Sequence, residues 1–339
     1  MLHKSVSIAI VVLLGSHIAY AQQSTALEKK VAIAHPGPIN PSASIPLVIA
    51  QEQGLFGKRG LEARIVGGTI GSDRLIGKEA EFGSFGTPAV LLAIARRQAD
   101  LKILGVINTG KTTEHLVAKA SIKTPEELRG KRFGLTSIGA GTWITTIQAL
   151  EHLGLEAGRD QIAIVEVGNV TQMAKALEDG TIDAAMLTPA QSGELKAKGY
   201  TVLLDMQESD IYGAPRSLVT TSAFLQEHPD IVEKVVAAFV EAMAFALAPE
   251  NKSTVLVTIS KLFGLTQPAA AEKAYEELRN LNRKPYASVE RLKDMQRIMA
   301  LHEPKVMGVK IEDIIDDRVV RKLDENGTID QLYSSYGVK

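Results

Sequence analysis

The sequence predicts an α/β protein made of two facing lobes, each a mainly parallel sheet flanked by helices, followed by a helical remainder. Three observations predict it. Short β-rich runs alternate with helical patterns as far as Thr220, two blocks of that alternation repeat each other's turns, and helical spacing takes over afterwards. A length of 339 residues suits two domains of ordinary size.

In the first block, Lys30 to Ala34, Ala63 to Val66 and Lys102 to Val106 read as strands, with helices over Ile45 to Gln53 and Ala89 to Arg97. The second block opens at Thr124-Pro125-Glu126-Glu127, where Thr suits an N-cap, Pro the first helical position and Glu a capping box. Strand Arg132 to Leu135, helix Thr142 to Leu153, strand Ile162 to Val167, helix Thr171 to Glu178 and strand Ala184 to Leu187 follow, then a further helix. Ser217 to Thr220 is extended. Beyond it, Val232, Val235, Val236, Phe239, Val240 and Met243 keep helical spacing. Asn326-Gly327 is placed to stop a helix containing Val319 to Leu323, because both residues tolerate a left-handed turn.

The chain opens Met1-Leu2-His3-Lys4, runs through an apolar stretch around Ile8 to Leu14 and reaches Ala19-Tyr20-Ala21. This is the charged, hydrophobic and small-residue sequence of a secretory leader over residues 1–21, cleaved after Ala21, and the expected compartment is the periplasm. The chain has no cysteine, so stability must come from packed cores rather than disulfides, and no lipid-anchor thiol follows the leader. A net charge of −1 leaves no polycation face for nucleic acid.

The two blocks rhyme. Ile76-Gly77-Lys78-Glu79-Ala80-Glu81-Phe82 leads to Ser84-Phe85-Gly86-Thr87-Pro88-Ala89, and Leu177-Glu178-Asp179-Gly180-Thr181-Ile182-Asp183 leads to Met186-Leu187-Thr188-Pro189-Ala190. A second pair sets Gly67-Gly68-Thr69-Ile70-Gly71-Ser72 against Ser137-Ile138-Gly139-Ala140-Gly141-Thr142. Each pair joins a strand to a helix N-terminus, and α/β folds bind ligands at that end of their strands. Facing lobes would aim several such N-termini into one crevice, which would favour carboxylate, sulfonate or phosphate.

At Ile45 to Phe56, Glu126 to Lys131, Ala149 to Leu155 and Ala176 to Ala185 the sequence resembles the type II periplasmic binding proteins. These serve importers of nitrate, taurine, aliphatic sulfonates and thiamine-pyrimidine precursors. The resemblance implies the two-lobe type II periplasmic-binding-protein-like fold with a C-terminal helical extension. Residues 25–115 plus 216–339 would form one lobe and 117–214 the other, with crossings near Leu116-Val117-Ala118 and Ala214 to Ser217. It also implies a solute-binding component of an ABC importer, a monomer without cofactor that closes on a small anionic solute and delivers it to a membrane permease. The expected ligand-binding residues are His35, Pro36, Gly68, Thr69, Ser84, Gly86 and Thr87 from one lobe, and Ser137, Gly139, Gly141, Thr142, Trp143, Thr188 and Pro189 from the other, with Tyr212 beside the second crossing. Backbone N–H groups would hold the acidic end, so no buried arginine is invoked. Trp143 has two readings: a face for the solute, or a core anchor beside Ile147 and Leu150.

Other chemistries have less support. Gly105 to Thr112 matches the phosphate-loop letters G-x-x-x-x-G-K-[ST], but Glu114 to Lys119 reads as extended where that motif needs a helix. The alternative function is a pyrimidine-precursor synthase on the same frame, an enzyme type with a cysteine-rich iron motif and a cytoplasmic address. The absent cysteine and the leader both count against it. Phe82 to Gly86 misses the nucleophile elbow at its first position. His35, His115, His152, His228 and His302 are dispersed, without metal-ligand spacing.

Overall fold

The computed structural model describes residues 29–37, 41–67, 71–97, 99–111 and 113–338. The expected leader and its cleavage site lie outside these residues. Among them, no helix is long and apolar enough to cross a membrane.

Apolar runs with little alternation form strands here because both faces of each sheet are covered. The first sheet has the order β2-β1-β3-β10-β4, built from β1 (Lys29–Ala34), β2 (Leu61–Val66), β3 (Phe82–Gly86), β4 (Leu101–Val106) and β10 (Arg216–Thr221). The second has the order β7-β6-β8-β5-β9, from β5 (His115–Ala118), β6 (Arg132–Leu135), β7 (Ala163–Glu166), β8 (Ala184–Leu187) and β9 (Thr201–Asp205). β1 pairs in parallel with β2 and β3, and β6 with β7 and β8. In each sheet one strand runs against its neighbours. It is β10 in the first and β5 in the second, so each sheet borrows its reversed strand from across the boundary. The passages between sheets are therefore residues 107–114 and 206–215. Leu116-Val117-Ala118, expected as a crossing, is already inside the second sheet.

Side chains alternate across each strand, and the core divides accordingly. Val31 and Ile33 pack on α1 (Pro41–Glu52) and, further on, α8 (Pro229–Leu247), while Ala32 and Ala34 face the opposite cluster with α2 (Gly71–Ile76) and α3 (Thr87–Arg97). In the second sheet Leu116, Ala118 and Phe133 pack on α4 (Gly141–His152). Val117, Ala185 and Leu187 pack on α5 (Val170–Glu178) and α6 (Pro189–Ala197). The expected helix at Thr124 is a single 3-10 turn, Pro125–Leu128, although its capping box forms as read.

After β10 come α7 (Ser222–Glu227), α8, α9 (Lys252–Phe263), α10 (Pro268–Glu276), α11 (Val289–Ala300), α12 (Ile311–Ile314), α13 (Arg318–Glu325) and α14 (Thr328–Ser335). Gly327, with φ +77, sits between α13 and α14 as Asn326-Gly327 suggested. α11 bridges the halves of the molecule. Its Leu292, Met295 and Met299 share a cluster with Val90 and Leu91 of α3 and with Trp143 and Ile144 of α4.

The 3-10 turn Glu277–Asn280 closes over the first passage, where Thr109 N donates to Asn280 O at 2.8 Å and Asn282 N to Ile107 O at 2.9 Å. Burial, and after it the Glu114 charge, push Glu277 up to about 7, with Lys273 and Arg279 opposing. A carboxyl raised by folding binds more protons folded than unfolded, so its contribution is present below the ordinary carboxylate range and fades as pH rises toward 7. Glu277→Gln keeps the shape without the charge. Its melting temperature should exceed the parent's at about pH 8, and the gap should shrink at about pH 5. Thermal unfolding at the two pH values checks this, and a gap that widens in acid would reverse the assignment.

Candidate functional site

β1 and β3 end at one edge of the first sheet, and β10 begins there in the opposite sense with Arg216 across from Gly86. Three polar residues meet at this edge: His35 just past β1, Ser84 within β3 and Arg216 at the head of β10. They are 5%, 0% and 3% exposed. His35 and Arg216 both converge on the backbone carbonyl of Ser84. His35 Nδ1 lies 3.1 Å from that oxygen, and Arg216 Nη1 donates to it at 2.5 Å. A carbonyl only accepts, so Nδ1 holds the imidazole proton and Nε2 is left as an acceptor. Among the described residues neither Nε2 nor the Ser84 hydroxyl has a hydrogen-bond partner, although both atoms are buried.

The charges explain the protonation. Burial lowers Arg216 to about 10 and no neighbouring carboxylate raises it, so the guanidinium is still charged at neutral pH. Burial first, then Arg216, push His35 down to about 4 against the backbone groups of Ser84 and Gly37, so the ring is neutral. A buried cation without an anion is costly, by several kcal/mol even after relaxation. This edge of the sheet is therefore chemically prepared for an oxyanion.

The passages between sheets hold the cluster in place. Arg216 N donates to Asn108 Oδ1 at 3.0 Å, and Ile107 N to Arg216 O at 2.8 Å. Asn108 Nδ2 reaches Ser42 Oγ at 3.3 Å, tying in the buried N-terminal turn of α1. Gly213 N donates to Gly110 O at 2.9 Å, so the two passages run in backbone contact.

The sequence-derived residues separate into groups. His35, Ser84 and Gly86 belong to the convergent edge, and Pro36 is half-buried beside it. Thr87 is fully buried, but its N–H and hydroxyl both donate to Pro215 O at 2.9 Å, and Ser217 Oγ lies 2.7 Å from that hydroxyl. It fastens the second passage. Gly68 and Thr69 lie outside the described residues. In the second sheet Ser137, Gly139 and Gly141 form the turn into α4, where Gly139 takes φ +81, and Thr142 bonds the Thr136 hydroxyl. A Cβ on Gly141 would meet only Ala214 Cβ at 3.5 Å, an ordinary contact within the protein. Thr188 caps α6 by accepting from Gln191 N, and Pro189 follows in the first helical position.

The two expected aromatic residues are both held by protein contacts. Trp143 is 4% exposed, clusters with Leu135, Ile147 and Met299, and meets the His302 ring edge-on at 6.3 Å. It packs as a core anchor and also lines a cavity with Ile147, Leu150, Arg297 and Leu301. Tyr212 is engaged by the Arg291 guanidinium 3.6 Å from its ring centroid and by Lys111 at 5.7 Å, beside Gln148 and Asp294. The buried arginine that the sequence reading left out is present as Arg216. The available signal was a cation opening the apolar strand Arg216-Ser217-Leu218-Val219 directly after a passage.

Residues 41–252 match the family described as NMT1/THI5 like. The taurine-binding periplasmic protein of Escherichia coli K12 is 28% identical over 166 residues, 48% of this chain and 50% of that protein. The chain thus spans about half the length of that curated relative. The periplasmic aliphatic sulphonate binding protein SsuA from Escherichia coli has the same fold at 20% identity, with TM-score 0.67 over 85% of this chain and 91% of that one. The desulfurization enzyme DszB also shares it, at 16% identity and TM-score 0.62 over 88% and 99% of the two chains.

Proposed function

Since this chain belongs to the NMT1/THI5-like family, we propose that it is the extracytoplasmic solute-binding component of an ABC importer. It captures a small organic anion between the two sheet-centred lobes and passes it to a membrane permease, without itself catalysing a reaction. We take the lobes to be the halves centred on the two sheets, joined by the passages after β4 and after β9. The observation that carries this reading is Arg216, buried, charged and without a carboxylate partner among the described residues, at the carboxyl ends of β1 and β3. The taurine- and sulphonate-binding names of relatives agree with an oxyanion there. DszB keeps an enzyme on the same frame as the second reading. The convergent cluster here supplies a cation, an acceptor and a hydroxyl, but no base is paired with a nucleophile, which favours capture over turnover.

Native mass spectrometry of protein purified without denaturation should reveal a bound anion. Sulfonates and carboxylates should then raise the melting temperature, by the equivalent of about 2.7 kcal/mol at 100 times the dissociation constant. Hinge closure predicts smaller dimensions on binding, measurable by small-angle scattering. A protein that responds only to neutral heterocycles would overturn the anion reading. One that consumes its ligand would overturn the binding-protein reading.

A further inference from the structure

We infer that the solute carries a hydrogen-bond donor, a hydroxyl or an amino group, close to its acidic group, and that His35 Nε2 reads this donor. The inference rests on the reading that an anion fills the Arg216 edge, and it narrows the ligand from any small oxyanion to a hydroxy- or amino-substituted one.

The Ser84 carbonyl receives Arg216 Nη1 at 2.5 Å and faces His35 Nδ1 at 3.1 Å. Because that oxygen has no proton, the imidazole proton sits on Nδ1, and Nε2 presents a lone pair. The residue is 5% exposed, and Nε2 has no partner among the described residues. Burying such an acceptor unpaired costs free energy that a donor from the ligand would recover. Protonating the ring is no remedy in the empty site, since burial disfavours a charged imidazole and the Arg216 guanidinium on the same oxygen opposes a second positive charge there. An oxyanion alone satisfies Arg216 but would set its lone pairs against that of Nε2. A ligand that places N–H or O–H beside its anionic group satisfies both, and the shared carbonyl keeps the two protein groups close enough for one small molecule to span.

The test compares ligands that differ only by that donor: ethanesulfonate against 2-hydroxyethanesulfonate and 2-aminoethanesulfonate, with propanoate against 3-hydroxypropanoate and 3-aminopropanoate as the carboxylate series. Calorimetric titration of the mature protein at neutral pH should show a donor-bearing member binding about tenfold tighter or more than its parent, the scale of one buried acceptor left unmade. In His35→Leu that preference should collapse while anion binding through Arg216 persists. Equal affinity of the parent and donor-bearing anions for the native protein would overturn the inference and leave the anion reading standing. Binding of neutral heterocycles but of neither anion series would remove both. The comparison on the native protein needs no variant, so it decides the question even if His35→Leu does not fold.

Discussion

Replacing Arg216 with methionine is expected to raise the melting temperature of the ligand-free protein while abolishing its response to anions. The two effects share one cause. In the empty protein the guanidinium is 3% exposed and hydrogen-bonded to the Ser84 carbonyl, with no countercharge among its described neighbours, so its desolvation is uncompensated. Methionine has similar reach, no charge and enough flexibility to fill the space, so removing the cation relieves that cost. The bound state loses the partner of a buried charge, which typically costs about 2–5 kcal/mol, or roughly thirtyfold to several thousandfold in affinity. Arg216→Lys should fall between, since the charge stays but the planar fork is gone. Differential scanning calorimetry without ligand and titration with the best anion measure the two effects separately. A methionine variant that melts lower yet binds as before would make Arg216 a structural strap of β10.

Where the sequence was legible, local chemistry and tertiary role agreed. The rhyme between Glu81-Phe82 and Asp183-Ala184 turns out to be one device used twice. Glu81 Oε2 accepts from Ala32 N at 2.6 Å, and Asp183 Oδ2 accepts from Arg132 N at 3.0 Å. The backbone returns the bond in both sheets, Glu81 N to Ala32 O at 3.1 Å and Asp183 N to Arg132 O at 2.8 Å. An acid placed just before the third parallel strand thus clamps it to its neighbour in each half. The second copy is stronger, because Arg132 and Lys119 also hold Asp183 and keep it far below the usual carboxylate range. The Thr-Pro-Ala rhyme diverges instead. Thr188 caps its own helix, whereas Thr87 bonds across to Pro215 and Ser217. Identical letters open both helices, and only the packing partner decides which donors remain for a solute.

What stayed illegible depended on contacts between residues far apart in the chain. Arg216 reads as a surface cation until β10 is seen inserted between β3 and β4, 132 residues away from Ser84. That Trp143 packs against α11 and meets the His302 ring could not be read from its own neighbours in the sequence. The extended segment at Leu116 was recognised, but its place between β8 and β9 follows from strand exchange rather than from its own residues. The same exchange puts both passages, and hence any hinge, next to the site.

Gly110→Ala is expected to destabilise the protein and weaken ligand binding together, far beyond the effect of the same change at Gly54. Gly110 is the second glycine of the phosphate-loop-like run, yet no helix follows it, and the three atoms nearest its Cβ position are all backbone. A Cβ there would lie 2.8 Å from Gly213 O and 3.2 Å from Pro215 N, in a residue with φ +76. Two costs therefore combine: a left-handed conformation, about 1 kcal/mol or more for alanine, and a clash that only separation of the two passages relieves. That separation would break the 2.9 Å bond from Gly213 N to Gly110 O and pull on Arg216, three residues beyond Gly213. Gly54 supplies the control. Its φ of +63 carries the same conformational cost, and a Cβ there meets nothing within 4 Å. Gly54→Ala should lose about 1 kcal/mol with binding unchanged, and Gly110→Ala should lose at least about 2 kcal/mol more, with weaker binding. Equal losses in denaturant titrations of the two variants would mean that the passages part without cost, and that their contact does not hold Arg216 in place.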